Sequence, residues 1–483
     1  MKKTFLWSVI IAFAISGMTF ADVKMPKTFS DHAVLQRDAE VNIFGWADAG
    51  EKVAVEFNSQ KVETTADASG KWLVKLAPMT AQNQGSALTV TGKNTVVFND
   101  VVVGEVWVCG GQSNMEFPVG GWGRTGATEE ELKGDLSFIR FLRDPHVTNP
   151  QPQEDLANGA WTLCKDGAQK GCTAVGFYFA MRLNKELNCP VGLIDCNWGG
   201  SKVEEWIPES AMGTLTPDAA NHAREFVTHV RDNKRNYIGC MYNAKMNPWT
   251  KYTIKGAIWY QGCSNGGQGD VYFQKMACMI NAWRANWGYE FPFYWVQLAN
   301  YQAVNNDPNY TGGFVPVRAA QSKCLSVPKT GQAVIIDVGE EKDIHPINKY
   351  DVGNRLAACA LANDYGKDVP FASPLFKSMK VEGNKAILTF DNAGSGLVVG
   401  SQGPRKFTVV PDGTLQRFAV AGEDGKFFWA DAKITGKDTV EVSAKKVAAP
   451  VKVRYACQQN PAGANLYNAE GFPASPFSTE ELK

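Results

Sequence analysis

The stretch Val106-Trp107-Val108-Cys109-Gly110-Gly111-Gln112-Ser113-Asn114-Met115 is an apolar run that stops at two glycines, with a serine two residues further on. The run reads as a strand, and the Gly-Gly turn would present the next side chains at its tip. A serine held there is a nucleophile if a base reaches it. Gly110, Gly111, Ser113 and Asn114 are equally the residues of an ordinary turn. The pattern departs from the Gly-x-Ser-x-Gly elbow, because Met115 stands where the last glycine would be, which argues against the common α/β-hydrolase arrangement. The neighbouring elements decide between the two readings.

Downstream, strands alternate with helical patterns. Glu105–Cys109 is the first strand, Val191–Cys196 the second, Lys255–Tyr260 the third, Phe291–Leu298 the fourth and Ala333–Val338 the fifth. Between them, Val175, Phe179, Leu183 and Leu187 form a helical stripe within 174–187. Tyr272, Met276, Met279, Ile280, Trp283 and Trp287 form another, closed by Gly288, and Tyr350–Ala362 reads as the last helix. This alternation over residues 104–365 predicts an α/β domain whose mostly parallel sheet is covered on both faces. Residues 22–103 read instead as short alternating strands, such as Val41–Gly45 and Val53–Phe57, with turns at Asp48–Glu51 and Asp67–Gly70: a small sandwich. It is either a sugar-binding module or a packing domain. Residues 366–483 return to β structure, as a separate domain or as completion of the first sandwich.

The 483 residues are too many for one core, and two or three domains are expected. Lys plus Arg and Asp plus Glu both number 49, so no charge excess points to nucleic acid or an acidic membrane as partner. Residues 1–21 read as an export signal: Lys2 and Lys3, the apolar run Phe5–Ile15, then Thr19-Phe20-Ala21 as cleavage site. A mature chain starting near Asp22, periplasmic or secreted and without a membrane span, follows from that reading. Of the 11 cysteines, Cys164 and Cys172 flank a polar loop and are the best local disulfide candidates, and the odd count leaves one thiol unpaired in the monomer. No Cys-x-x-Cys or His-Glu-x-x-His pattern supports a metal site. His222 and His229 fall in a polar helical stretch and read as solvated; His146 sits beside Pro145 in a loop, and His32 reads as a packing residue.

Ligands of open parallel sheets gather beyond the carboxyl ends of the strands. The first strand ends in Gly110-Gly111-Gln112-Ser113, the second in Asn197-Trp198-Gly199-Gly200, the third in Gln261-Gly262-Cys263-Ser264-Asn265, and the fifth is followed by Asp343-Ile344-His345-Pro346. On one rim these loops would assemble a nucleophile, oxyanion donors and a base, the parts of acyl transfer.

Gly111-Gln112-Ser113-Asn114-Met115, Asn197-Trp198-Gly199-Gly200, Trp259-Tyr260-Gln261-Gly262-x-Ser264-Asn265 and Asp343-Ile344-His345-Pro346, in this order, resemble the sialate O-acetylesterase family of the SGNH hydrolase group. Phe29–Arg37 resembles the family's opening, and Asn465–Asn468 with Pro473–Phe477 its closing. The resemblance implies a flavodoxin-like catalytic domain with β-rich flanks that removes O-acetyl groups from sugars without a metal or other cofactor. By position it makes Ser113 the nucleophile, His345 the base and Asp343 the acid. The N–H groups of Ser113 and Gly200 and the Asn265 side chain become the oxyanion hole, and Gln112, Trp198 and Gln261 substrate contacts. Two departures stand out. The acid in this group usually lies three residues before the histidine, where this chain has Lys342, so Glu340, Glu341 or a backbone carbonyl are alternative partners for His345. Cys263 stands where the family commonly has Glu. Three functions remain: a sialic acid O-acetylesterase, an esterase on other acetylated glycans such as xylan or pectin fragments, and a carbohydrate-binding relative that has lost catalysis.

Overall fold

The structure is a computed structural model that describes residues 22–121, 125–228, 235 and 237–482. The segment expected to direct export, 1–21, lies outside them, as does His229. Among the described residues no helix is long and apolar enough to cross a membrane.

One strand organises the molecule. β1, Thr95–Gly111, is 17 residues long and changes character halfway. Its first six residues alternate between exposed and half-buried, and the last eleven are all buried. The first part pairs antiparallel with Gln82–Thr91, within an antiparallel set that includes Lys52–Phe57 and Gln60–Thr65. Residues 102–104 then pair in parallel with Val34–Gln36. From Glu105 onward β1 is the centre of a parallel sheet, as an apolar run buried on both faces should be. The change of domain character expected at 103/104 thus falls inside a single unbroken strand. The small sheet of Val41–Trp46 and Lys71–Leu76 completes the N-terminal part, whose apolar side chains belong to the same core as the catalytic sheet.

After β1 come the one-turn helix α1 (Ser113–Glu116), β2 (Ile139–Arg143), α2 (Ala174–Leu187), β3 (Val191–Asn197), α3 (Pro217–Thr228), β4 (Gly256–Tyr260), α4 (Asp270–Trp287), β5 (Phe293–Val296), α5 (Val315–Lys323), β6 (Thr330–Ala333) and α6 (Lys349–Tyr365). The parallel order is β2-β3-β1-β4-β5-β6. Without β2, which pairs on its far side antiparallel with Thr162–Leu163, this is the flavodoxin-like order, which reverses direction beside β1 and opens a crevice there. Trp107 on β1 packs edge-on against Phe179 of α2, whereas Trp259 on β4 meets Trp283 of α4. In the β1–β4 register Trp259 lies opposite Gly110, so these two tryptophans point to opposite faces, each covered by a helix. Gly353 of α6 lies so close to α2 that a Cβ would meet Tyr178 Cβ at 2.7 Å.

The fifth strand differs from the expected Ala333–Val338. β6 pairs only with β5, residue by residue from Phe293↔Thr330 to Val296↔Ala333, and stops where its sole partner stops. Val334–Ile336 stay buried as irregular chain. The strand β2 and the helix α5 were not anticipated.

Residues from Leu375 onward form three small antiparallel sheets around a second core that includes Leu388, Phe418, Val440 and Tyr455. Arg318, 1% exposed, fastens this part to the catalytic sheet: its guanidinium donates to the carbonyls of Leu298 and Ala299 on one side and of Gln458 and Gln459 on the other. All eleven cysteines are unbridged; the expected pair, Cys164 and Cys172, consists of two buried free thiols.

Gly111 is where the central strand turns. Its φ is +135°, and a Cβ would lie 2.3 Å from the carbonyl oxygen of Tyr260. Gly111→Ala should therefore cost at least about 2 kcal/mol, adding backbone strain to an overpacked contact. Denaturant unfolding of the variant beside the parent measures it.

Candidate active site

The turn after Gly111 places Gln112 in extended conformation and starts α1 at Ser113. Ser113 Oγ lies 2.9 Å from His345 Nε2. His345 comes from the segment between β6 and α6, so 232 positions of chain separate the two groups. The other ring nitrogen, Nδ1, lies 3.1 Å from Asp343 Oδ1, which also accepts the backbone N–H of His345 at 2.8 Å. This small local loop is how a carboxylate two residues before the histidine reaches its ring. Glu340 instead accepts the N–H of Ile347. Asn114 Nδ2 donates to the carbonyl of Ile344, tying the histidine segment to α1, and Phe117 packs against the imidazole with ring centres 5.1 Å apart.

On the other side of Ser113 runs the turn after β3. Gly199 lies against the serine, its Cβ position 3.4 Å from Ser113 Cβ. Gly200 has φ +70° and its Cβ position meets nothing within 4 Å, so it borders open space. Among the described residues no protein acceptor takes the N–H of Gly200, nor that of Ser113, which as the first residue of α1 has no intrahelical acceptor. Trp198 is half-buried at the rim, between the His146 ring stacked on it at 4.4 Å and the Arg235 guanidinium 5.1 Å from its centre.

The remaining expected residues sit elsewhere. Asn265 is fully buried, and its amide hydrogens are taken by Glu204 Oε2 at 3.0 Å and Gln268 Oε1 at 3.3 Å. Glu204 is itself buried in an ion pair with Lys275, 2.5 Å apart, and needs that second donor. Asn265 thus braces a buried carboxylate in place of the expected oxyanion donor. Gln112, 3% exposed, spends its Oε1 on the N–H groups of Gly262 and Ser264. Gln261 is fully buried, joined to Ser201 O, Asn265 Oδ1 and the Tyr272 hydroxyl. Both glutamines hold loops together and neither reaches the surface as a substrate contact. His222 is likewise not simply solvated: its Nδ1 is 3.0 Å from Lys275 Nζ, and burial together with that ammonium lowers its pKa.

Sequence reasoning passed over Glu116, although it lies in the same motif as Ser113. Its Oε2 accepts the N–H of Gly199, and its Oε1 is 2.9 Å from His146 Nε2. Burial opposes ionisation, but His146, the Gly199 N–H and Arg143 together hold this carboxyl below its usual range. Beneath the serine, Lys349 is fully buried, bonded to Asn114 Oδ1 and flanked by the Phe117 and Tyr260 rings. Burial lowers its pKa from 10.5 to about 7, against weak opposition from Cys263, Glu340 and Asp343. The Cys263 thiol is itself pushed up to about 12 by burial, so it offers the ammonium no charge. No group of three or more His, Cys, Asp or Glu among the described residues gathers as a metal site.

Two outcomes follow. Asn265→Ala should lower stability by roughly 1–3 kcal/mol, because Glu204 loses a donor. Its turnover on a small aryl acetate should fall much less than the roughly hundredfold expected for loss of an oxyanion donor; unfolding and turnover of one preparation measure both. Lys349 has a folded pKa below its unfolded one. Folding therefore releases a proton between about pH 7 and 10.5, and stability rises with pH across that window. Lys349→Met should abolish that part of the rise, seen as a smaller gain in urea-unfolding free energy from pH 7 to pH 9 than the parent shows.

Three comparisons bear on this geometry. Residues 103–358 match the model of the carbohydrate esterase family of sialic acid-specific acetylesterases. Sialate O-acetylesterase of Mus musculus is 27% identical over 450 residues, covering 79% of this chain and 82% of the mouse protein, and that of Homo sapiens is 27% identical, covering 74% of each. The crystal structure of a novel carbohydrate acetylesterase from Xanthomonas citri superposes with a TM-score of 0.84 at 36% identity, covering 95% of this chain and 99% of that one. The chain belongs to the sialic acid-specific acetylesterase family of carbohydrate esterases.

Proposed function

We propose that this protein removes O-acetyl groups from sugars by double displacement, with Ser113 as nucleophile and His345 as general base. The observation that carries the reading is the 2.9 Å contact between Ser113 Oγ and His345 Nε2, with Asp343 on the far nitrogen. His345 takes the serine proton as Oγ attacks the acetyl carbonyl. Asp343 holds the ring and offsets the charge that forms on it. The oxyanion sits on the N–H groups of Ser113 and Gly200, neither of which has a protein acceptor among the described residues. The sugar hydroxyl leaves with the proton from His345, and water, deprotonated by the same imidazole, releases acetate from the acetyl-enzyme. Trp198 forms a wall for the sugar ring. Export, with removal of residues 1–21, belongs to the same reading.

Acetylated sialic acid is the substrate that the named mammalian relatives suggest. A neutral acetylated glycan is the second reading, and one observation favours it. The arginines beside the site are spent: Arg235 on Glu205 and the Gly199 carbonyl, and Arg143 on the carbonyls of Gly171 and Glu116 with Asp195 close by. A sialic acid carboxylate would have to draw one of them away.

Ser113→Ala should abolish acetate release from an aryl acetate and from acetylated sugars, and a fluorophosphonate should label the parent at Ser113 alone. Labelling elsewhere, or activity surviving in the variant, would remove Ser113 from the scheme. Comparing kcat/KM on O-acetylated sialic acid with that on acetyl-xylan fragments decides the substrate.

A further inference from the structure

Glu116 has three neighbours: Gly199 on the turn after β3, His146 on the segment after β2 and Arg143 at the end of β2. It ends the single turn of α1 that begins with Ser113. Its Oε2 accepts the N–H of Gly199 at 2.5 Å, on the turn that follows β3. Its Oε1 meets His146 Nε2 at 2.9 Å, on the segment after β2, and that imidazole lies flat on Trp198 with planes 7° apart. A guanidinium nitrogen of Arg143 donates to the backbone carbonyl of Glu116 at 3.0 Å and so steadies the turn that carries it. The carboxylate also lies 3.0 Å from where a Cβ of Gly199 would be, and Ser113 Cβ 3.4 Å from it, so a side chain there would press on both.

Gly199 is one peptide away from Gly200. With φ at +70° and no contact around its Cβ position, Gly200 is held by its neighbours in the chain rather than by packing of its own. A turn of that kind is free to rotate its N–H out of line unless an adjoining group is pinned. The pins are the Gly199 N–H on Glu116, the Gly199 carbonyl on Arg235, the N–H of Trp198 on the carbonyl of Gly111 and, on the far side of Gly200, buried Ser201, whose N–H donates to the carbonyl of Trp198, whose hydroxyl donates to the carbonyl of Gly111 and whose carbonyl accepts from Gln261. Of these, Gly111 and Glu116 flank the nucleophile in the chain, and Glu116 is the one that reaches the turn with a side chain, three residues from Ser113 on the same helical turn.

We propose that Glu116 is a positioning residue that fixes the Gly200 N–H relative to Ser113 Oγ and, through His146, fixes the Trp198 ring whose edge borders the sugar. The inference rests on the double-displacement reading above, in which the Gly200 N–H receives the oxyanion. An oxyanion donor acts on the transition state and hardly on the bound ester, so misaiming it lowers kcat and leaves KM for a small ester alone. The wall acts on the sugar, so its loosening appears in KM for acetylated sugars only.

Three variants test this. Glu116→Ala removes the acceptor. Glu116→Asp keeps the charge but draws it back by one methylene. Glu116→Gln loses the charge but keeps an oxygen at the same reach. On an aryl acetate, Ala and Asp should lower kcat by about tenfold or more with KM within about twofold of the parent, and Gln should recover most of the rate. On an acetylated sugar, Ala and Asp should raise KM in addition. Circular dichroism and thermal unfolding check that each variant is folded; should Ala fail to fold, the Asp and Gln pair still decides. Asp at the parental rate, or a loss confined to KM on the aryl acetate, overturns the proposal, as does Gln as impaired as Asp. If the parent releases acetate and Ser113→Ala does not, while all three Glu116 variants match the parent, this inference alone fails. If the parent releases no acetate, the double-displacement reading fails, and this one with it.

Discussion

The carbonyl of Tyr260 occupies the place where a side chain on Gly111 would be, and the arrangement of the site follows from that contact. A strand buried along eleven residues has no polar end of its own, so it must stop sharply to put a functional group at the rim. Gly111 makes the stop by taking a backbone conformation closed to other residues. The N–H of Gln112 is then accepted by Tyr260 O, and the carbonyl of Gly111 accepts from Trp198 N–H and, at 3.3 Å, from Ser201 Oγ. One glycine thereby joins the ends of β1, β3 and β4, and Ser113 emerges at the seam. The strand order makes that seam a crevice, because the chain turns to opposite sides of β1 before and after it.

Much of the polar chemistry around the seam is structural. Gln112, Gln261 and Asn265 look like ligand-binding residues in a sequence, since a buried loop and a binding loop both use amides. Here they answer a need that the sheet creates. Three loops cross at its end, and each brings backbone N–H groups and carbonyls into a space without water, where an unpaired group costs roughly 1–3 kcal/mol. The Gln112 oxygen satisfies two such N–H groups, and Gln261 bridges the β3 and β4 loops. The buried Lys275–Glu204 pair is tolerated because Asn265 donates to the carboxylate while Gln268 and His222 lie on the ammonium. The contact between Ser113 and His345 is framed by a network of buried amides.

This explains what the sequence could and could not reveal. Long apolar runs and helical stripes report burial, so β1, β3, β4, α2 and α4 were legible, α2 to its exact ends and α4 with its Gly288 stop. That Ser113, His345 and Asp343 would meet was legible because each follows such a run and carries chemistry that a plain turn does not need. β2 was hidden because Ile139-Arg140-Phe141-Leu142-Arg143 mixes two arginines into the strand, one paired with Asp100 and the other lying near Asp195. The extent of β6 is set by its neighbour rather than by its own residues. Asn265 was misplaced because spacing shows that a side chain stands near the end of a strand and not which way it turns. Glu116 and His146 were overlooked for a related reason: 30 positions separate them, and only the folded loops reveal that they meet.

Cys263 and Lys349 show how far a site of this kind tolerates a change in its underside. An ammonium sealed from water normally needs a carboxylate, and burial alone then decides its charge. Lys349 has only a neutral thiol, an amide oxygen, two aromatic faces and the more distant Glu340 and Asp343. It therefore gives up its proton near neutrality, where its neighbours above, Asn114 and the His345 segment, must keep their places. They keep them because their bonds do not require the charge: a neutral amine still donates to Asn114 Oδ1, and Asn114 still donates to the carbonyl of Ile344. A neutral residue at 263 therefore alters the electrostatics beneath the serine and leaves the hydrogen-bond chain that places the histidine intact.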